Sequence, residues 1–301
     1  MSAMRIEERP TKTEWGFEEG DEITLGLHAL RLLGGGSRYE AYLAFDDRLH
    51  YLVVAKVLRP DHVDDPSARR GLRREADVLR SVNHPVISRL FGAELEGDRP
   101  HLVLEFVEGP RLSTLIRKFG RLEVEQAGPL GTELVAALHY VHLNGLVHLD
   151  VKPKNVIMGA PPRLIDLSIA RTIERAAVTD YAVGTDAYMA PEQCAPDGAF
   201  SMGPPTDIWG LGVTLYEAIS GRLPFPRGTG DESAPVEQRF PQLAHEPDPL
   251  SEDVPAALAR AIDGALERRP QDRPTAGDVA DVLAPLLQRP SRLVLNRLRP
   301  R

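Results

Sequence analysis

His148-Leu149-Asp150-Val151-Lys152-Pro153-Lys154-Asn155, followed by Asp166-Leu167-Ser168, sets a carboxylate, an ammonium, an amide and a second carboxylate within nineteen residues. An aspartate at 150 is suited to act as a base toward a hydroxyl. Asn155 and Asp166 offer hard oxygen atoms to a divalent metal, and Lys152 offers a compact charge to a phosphate. Phosphoryl transfer needs this inventory, because its catalysis is mostly positioning plus stabilisation of spread negative charge.

Outward from that stretch, 301 residues leave room for two lobes, each with its own core. A hydrophobic content of 42% and a charged content of 27% describe an ordinary globular chain. No apolar run approaches the roughly eighteen residues of a membrane span, and Met1 to Pro10 is charged, unlike a signal peptide. One cysteine, Cys194, excludes an internal disulfide framework, and a cytoplasmic location is expected. The net charge of −8 argues against nucleic acid as the main partner. Lysine occurs five times against thirty-one arginines, so Lys56 and Lys152 mark places where a point charge on a flexible stem is wanted.

Residues 1–22 form an acidic leader, read as a solvated extension, with a strand or cap docked on the following sheet as the alternative. Strand-like runs follow at Tyr39–Phe45, Tyr51–Leu58 and His101–Val107, interrupted by one helical period over Ala68–Val82 with Leu72, Ala76 and Leu79 on one face. Beyond Gly109 the periods lengthen. Helices are expected over Ala127–Leu143, Ile208–Ser220, Ala256–Glu267 and Ala276–Leu287, with loops around at most one short helix from Pro224 to Pro255. The tail from Arg289 to Arg301 carries five arginines and reads as a solvated basic end.

The order H-x-D-x-K-x-x-N and then D resembles the catalytic loop and metal-binding motif of protein kinases. The resemblance implies that Asp150 accepts the proton of the substrate hydroxyl, that Lys152 balances the γ-phosphate, and that Asn155 and Asp166 hold Mg²⁺, with Mn²⁺ as the alternative. Leu33-Gly34-Gly35-Gly36-Ser37-Arg38-Tyr39-Glu40-Ala41 resembles the glycine-rich ATP loop at Gly34 and Gly36. It departs at Tyr39, where a third glycine is expected, and at Ala41, where valine is usual; a simple hairpin turn is the other reading. Val53-Val54-Ala55-Lys56 resembles the strand whose lysine contacts the α- and β-phosphates, with Glu75 as its carboxylate partner. A surface pair within the helix is the alternative for Glu75. Leu102–Gly109 resembles the hinge between kinase lobes: Leu104 as gatekeeper, Glu105 and Val107 at the adenine edge, Ala41 and Ala55 above the ring and Ile157 below it.

Further motifs distinguish protein kinases from small-molecule phosphotransferases of related fold. Gly184-Thr185-Asp186-Ala187-Tyr188-Met189-Ala190-Pro191-Glu192 resembles the protein-substrate loop, with Glu192 expected to pair with Arg273, and Asp207 matches the aspartate that ties down the catalytic-loop backbone. Leu149 stands where an arginine usually follows the histidine, so a phosphate on the activation loop would gain little, and Ser168 replaces a glycine. The wording is most similar to bacterial Ser/Thr protein kinases. The expectation is an α+β, bilobal kinase-like fold: an extension at 1–27, a kinase domain at 28–288 (N-lobe 28–107, C-lobe 108–288) and a tail at 289–301. ATP and Mg²⁺ are the expected cofactors and protein hydroxyls the substrates. Self-association or a partner that positions the Glu75 helix is a further expectation, and a pseudokinase scaffold is the rival reading.

Overall fold

Short alternating runs build the first half of the chain into a sheet, and longer helical periods build the second. In the computed structural model, which describes residues 13–196 and 199–287, they form two compact units. The first runs to Glu108 and also takes in Ile165–Ala170; the second comprises Gly109–Leu164 and the chain from Arg171 onward.

The first unit holds strands β1 (Glu22–Thr24), β2 (Leu27–Gly35), β3 (Tyr39–Asp46), β4 (Tyr51–Leu58), β5 (Leu90–Glu94) and β6 (His101–Glu105). They make one antiparallel sheet in the order β1-β2-β3-β4-β6-β5. Because side chains alternate along a strand, Val53, Ala55 and Val57 of β4 share one face. They are buried there with Tyr42 and Ala44 of β3, Val103 of β6, Ile23, Leu27 and Ala29. Helix α1 (Pro66–Ser81) packs against β4, β5 and β6. Pro66 opens its first turn and the Asp65 carboxylate accepts from the Ser67 N–H at 2.7 Å, which caps it.

The described part of the acidic leader is not a solvated arm. Trp15 and Phe17 stack on each other, with ring centroids 5.7 Å apart, and pack on the sheet's core cluster. The Trp15 indole N–H donates to the Leu58 carbonyl at 2.7 Å, and the fully buried Ile23 belongs to β1. The aromatic pair outweighs the surrounding glutamates because it covers apolar sheet surface that would otherwise meet water. Strands β1, β2 and β5 escaped the sequence reading because Gly26, Gly34, Gly35 and Gly92 interrupt their apolar alternation. Residues 1–12 and the basic tail at 289–301 lie outside the described residues.

The second unit contains α2 (Leu112–Phe119), α3 (Val124–Leu143), the short strands β7 (Leu146–Val147), β8 (Val156–Ile157), β9 (Arg163–Leu164) and β10 (Arg171–Thr172), then α4 (Ile173–Ala177), α5 (Pro191–Cys194), α6 (Pro204–Ser220), α7 (Val236–Arg239), α8 (Ala256–Ala265) and α9 (Ala276–Leu283). Its centre is α6, whose apolar residues on all sides are buried as the sequence implied. Helices α3 and α8 pack on α6, and α9 packs on both α3 and α8. Helix α6 stops at Gly221, which has φ 75° and sits where a Cβ would collide with the Gly120 carbonyl.

One ion pair closes this unit. Arg273 donates from Nη1 and Nη2 to the two oxygens of Glu192 at 2.7 and 2.9 Å, with both side chains wholly buried. The Thr206 hydroxyl gives Glu192 a third donor at 2.8 Å, and Arg273 Nε donates to the Glu267 carbonyl at 2.7 Å. Removing one member leaves an uncompensated buried charge, so Arg273→Ala is expected to lower unfolding stability by about 3–5 kcal/mol. Denaturant titration of the intact chain measures this, and a change below about 1 kcal/mol would show the pair to be dispensable.

Candidate active site

In the first unit the glycine-rich stretch is the tip of the β2–β3 hairpin. Gly34 pairs with Ala41 and Gly35 with Glu40, and the Gly36 N–H donates to the Tyr39 carbonyl at 2.9 Å. Leu33 and Gly34 are half-buried and Gly36 is exposed. Directly across β3 from Ala41 lies Lys56 on β4. Its ammonium meets both oxygens of Glu75 at 2.7 and 2.8 Å and Oδ1 of Asp166 at 2.9 Å. An ammonium has three N–H donors, and three carboxylate oxygens receive them.

The helix period explains why Glu75 is available. It lies on the same face of α1 as Leu72, Ala76 and Leu79, so folding α1 onto the sheet buries a carboxylate that needs a cation. Burial pushes the Lys56 pKa down, but Glu75 and Asp166 push it up further, so the net shift is upward and the ammonium persists. Burial holds the Glu75 carboxyl above its ordinary range, against the opposing pull of Lys56. Asp166 itself takes a left-handed backbone, φ 68°.

The second unit holds the other constellation, in the loop after β7. Asp150 Oδ2 accepts from Lys152 Nζ at 2.6 Å and from Asn155 Nδ2 at 3.1 Å, while Oδ1 accepts from the Thr185 hydroxyl at 2.7 Å. Asn155 also donates to the Asp150 carbonyl at 2.9 Å, which folds the loop back on itself. The loop backbone hangs from Asp207 at the start of α6. Oδ2 accepts from the His148 N–H at 2.8 Å and Oδ1 from the Leu149 N–H at 2.7 Å. His142 Nε2 lies 2.9 Å from the same carboxylate. These bonds hold Leu149 at φ 66°, a conformation that disfavours any residue with a Cβ. Gly184 (φ 137°) lets the segment carrying Thr185 approach closely, since a Cβ there would stand 3.2 Å from the Leu149 carbonyl and 2.8 Å from Met189.

With both constellations described, similarity to known proteins decides the family. Residues 27–283 match the family model of the protein kinase domain. The chain belongs to the protein kinase family. It is 35% identical over 254 residues to the serine/threonine-protein kinase PknB of Mycobacterium leprae, covering 80% of this chain and 40% of that protein. It is 33% identical over 264 residues to PknA of Mycobacterium tuberculosis, covering 84% of this chain and 59% of that protein. The chain therefore spans less than two thirds of the length of either curated relative.

One kinase-like assignment needs correction. Ala55 does not share a face with Lys56: it is fully buried in the cluster on the opposite side of β4. A strand has a period of two, so an offset of one residue moves a side chain to the other face. Val54, half-buried, stands on the Lys56 side and pairs across to Leu104 of β6. That alternation is visible in the sequence and would have pointed to Val54. Leu104 is half-buried, as are Glu105, Val107 and, in the second unit, Ile157, which pairs with Arg163.

Two contributors escaped the candidate residues. Thr185 completes the hydrogen bonding of Asp150, and only its place beside Gly184 hinted at this. Tyr39 lays its ring under the Lys56 ammonium, 4.9 Å from the ring centroid, and its hydroxyl donates to the Ala68 carbonyl of α1 at 3.5 Å. Lys56→Met should leave Glu75 buried without its cation, and the carboxyl should then take up a proton. A carboxyl with a raised folded-state pKa binds more protons folded than unfolded, so stability falls as pH rises through that pKa. The deficit of Lys56→Met relative to wild type is therefore expected to shrink between pH 8 and pH 5. Denaturant midpoints across that range measure it, and a pH-independent deficit would contradict it.

Proposed function

We propose that the chain is an ATP-dependent protein serine/threonine kinase, with Asp150 as the base that orients the substrate hydroxyl and accepts its proton. The observation that carries this reading is the pair of prepared charge clusters: Lys56 held by Glu75 and Asp166, and Asp150 held by Lys152, Asn155 and Thr185. Lys56 is assigned to the α- and β-phosphates and Lys152 to the γ-phosphate. The glycine hairpin with Leu33, Gly34 and Gly36 is assigned to the phosphates, and Ala41, Leu104, Glu105, Val107 and Ile157 to the adenine. Val54 takes the place first given to Ala55.

The Asp166 carboxylate and the Asn155 side-chain oxygen are hard donors of the kind magnesium prefers, so the donor set fits Mg²⁺, with Mn²⁺ as the alternative. Bound there, the metal would supply positive charge to the phosphate oxygens. Lys56 keeps the Asp166 carboxylate ionised for that purpose, and Asn155 holds the Asp150 carboxylate and carbonyl in one orientation. Kinase-domain limits of 28–288, a cytoplasmic location and protein substrates bearing Ser or Thr complete the assignment. No helix among the described residues is long and apolar enough to cross a membrane. A regulatory partner or second copy acting on α1 belongs to the same reading.

Activity is assigned little dependence on phosphate in the activation loop. Leu149 is buried where an arginine could otherwise meet such a phosphate, and Arg171 already donates to the unmodified Thr179 hydroxyl at 2.8 Å and to Tyr181 at 3.3 Å. The double substitution Thr172→Ala and Thr179→Ala is expected to retain at least about a third of the rate, since only neutral hydrogen bonds are lost. Near-complete loss would refute this assignment.

The deciding experiment is transfer of ³²P from ATP and Mg²⁺ to the chain and to a generic basic acceptor protein, beside Asp150→Asn. Labelling confined to Ser and Thr that falls at least about a hundredfold in the variant is expected, in line with loss of a general base. Nucleotide binding without transfer would instead identify a pseudokinase.

A further inference from the structure

The three consecutive glycines at the hairpin tip have no side chains with which to fix their own conformation, so ordering them is entropically costly. The first unit supplies an external clamp. Arg59, just beyond β4, donates its backbone N–H to the Arg38 carbonyl at 2.9 Å and its Nε–H to the Gly36 carbonyl at 2.8 Å. Both acceptors lie in the glycine-rich tip. A trans peptide sets its N–H antiparallel to its carbonyl, so fixing the Gly36 carbonyl on Arg59 aims the Ser37 N–H away from the guanidinium.

The other side of the guanidinium is held by the segment that precedes the sheet. Arg59 Nη1 donates to the Thr13 carbonyl at 3.1 Å and to Glu14 Oε1 at 3.2 Å, and lies 3.3 Å from Glu40 Oε1. Glu40 is 2% exposed, and its second oxygen accepts from the Tyr42 hydroxyl at 2.6 Å and the Trp15 N–H at 3.3 Å. By the register of β3 and β4, Glu40 stands opposite Val57, on the face away from Lys56. The strap Thr13–Phe17 and the glycine tip are thus joined through one arginine and one buried glutamate, on the side of the sheet that the reacting groups do not use.

We propose that Arg59 is a positioning residue for the glycine-rich loop, and that the Thr13–Phe17 strap sets nucleotide affinity by holding Arg59 and Glu40 in place. The proposal rests on reading that loop as the phosphate-binding element. A loop ordered before the nucleotide arrives loses less entropy on binding. Anything that lifts Trp15 off the sheet would release Arg59 and weaken the grip on phosphate without touching Lys56 or Asp150. The strap is therefore a point at which a change outside the catalytic residues reaches the ATP site.

The test compares full-length wild type, Arg59→Ala, Arg59→Lys, Trp15→Ala and the Arg59→Ala/Trp15→Ala double variant. Calorimetry gives the Kd for Mg·ADP, steady-state labelling gives KM for ATP and kcat, and thermal melting checks folding. Arg59→Ala is expected to raise Kd and KM about tenfold, the loss of one hydrogen bond to a charged group, with kcat within about twofold. Arg59→Lys keeps the charge but lacks the Nε–H and should recover only part of the affinity. Trp15→Ala should also weaken binding, and the double variant should bind no worse than Arg59→Ala, because the strap acts through Arg59.

Unchanged nucleotide affinity in a folded Arg59→Ala protein, with only the melting temperature lowered, would overturn the proposal and leave the strap as a seal on the sheet. Additive losses in the double variant would overturn the strap's part in it. If Arg59→Ala fails to fold, Glu40→Gln replaces it; that variant keeps an acceptor for Tyr42 and Trp15 but removes the charge facing Arg59. It should raise Kd in the same direction by a smaller factor, and an unchanged Kd would be equally fatal. Wild type that binds no Mg·ADP would defeat the phosphate-loop reading itself, a result distinct from wild type and variant binding alike.

Discussion

A carboxylate placed out of reach of water must be met by a cation or by N–H and O–H donors, and this chain meets that demand at each point that shapes its site. Glu75 is 1% exposed and takes Lys56; Asp207 is 1% exposed and takes two backbone N–H groups. Glu192 is 2% exposed and takes Arg273 in a two-pronged pair, and Glu40, equally buried, takes Tyr42, Trp15 and Arg59. Each leaves its partner little alternative geometry, because an unmatched buried charge costs several kcal/mol. Such pairs add less net stability than their contacts suggest, and their value here lies in orientation. Lys56, the Leu149 backbone and the glycine tip are each held by one of them.

The six-stranded sheet separates two tasks by its pleat. Lys56, Ala41 and Leu104 share one face, and Tyr39 brings its ring to the same ammonium. Ala55, Val57, Tyr42 and Glu40 share the other, where Trp15 and Phe17 cover them. The two faces are only one backbone apart, so the strap and the reacting groups act on the same hairpin from opposite sides. Arg59 bridges them because it follows the strand end and folds back onto the tip.

The departures from the usual kinase wording have physical consequences in this chain. Tyr39 replaces a glycine with a ring that supports Lys56 and ties the hairpin to α1, exchanging freedom of the loop for order. Leu149 replaces an arginine with a buried apolar side chain, and Asp207 still holds its backbone in the left-handed region. Arg171 is committed to neutral hydroxyls of Thr179 and Tyr181. Together they describe a site ordered by packing and internal hydrogen bonds rather than by an added phosphate.

Much of this was legible in the sequence, because the chemistry-bearing residues sit in short local motifs and the helices carry strong periods. The pairs Lys56–Glu75 and Glu192–Arg273 and the anchoring by Asp207 were expected from motif order, and the helices α1, α3 and α6 from their spacing. Strands β1, β2 and β5 were not legible, since glycines break their alternation and pairing with β3 or β6 holds them in place. The roles of Trp15, Glu40, Arg59 and Thr185 were hidden as well, because each depends on a partner distant in the chain: Leu58 for Trp15, Gly36 for Arg59, Asp150 for Thr185. The sequence by itself determined which groups are available and roughly where the elements begin and end, because those follow from neighbours a few residues apart. Only the tertiary structure decided which face each group occupies and what it touches, because strand register and the closure of long loops are set by the packing of the whole unit.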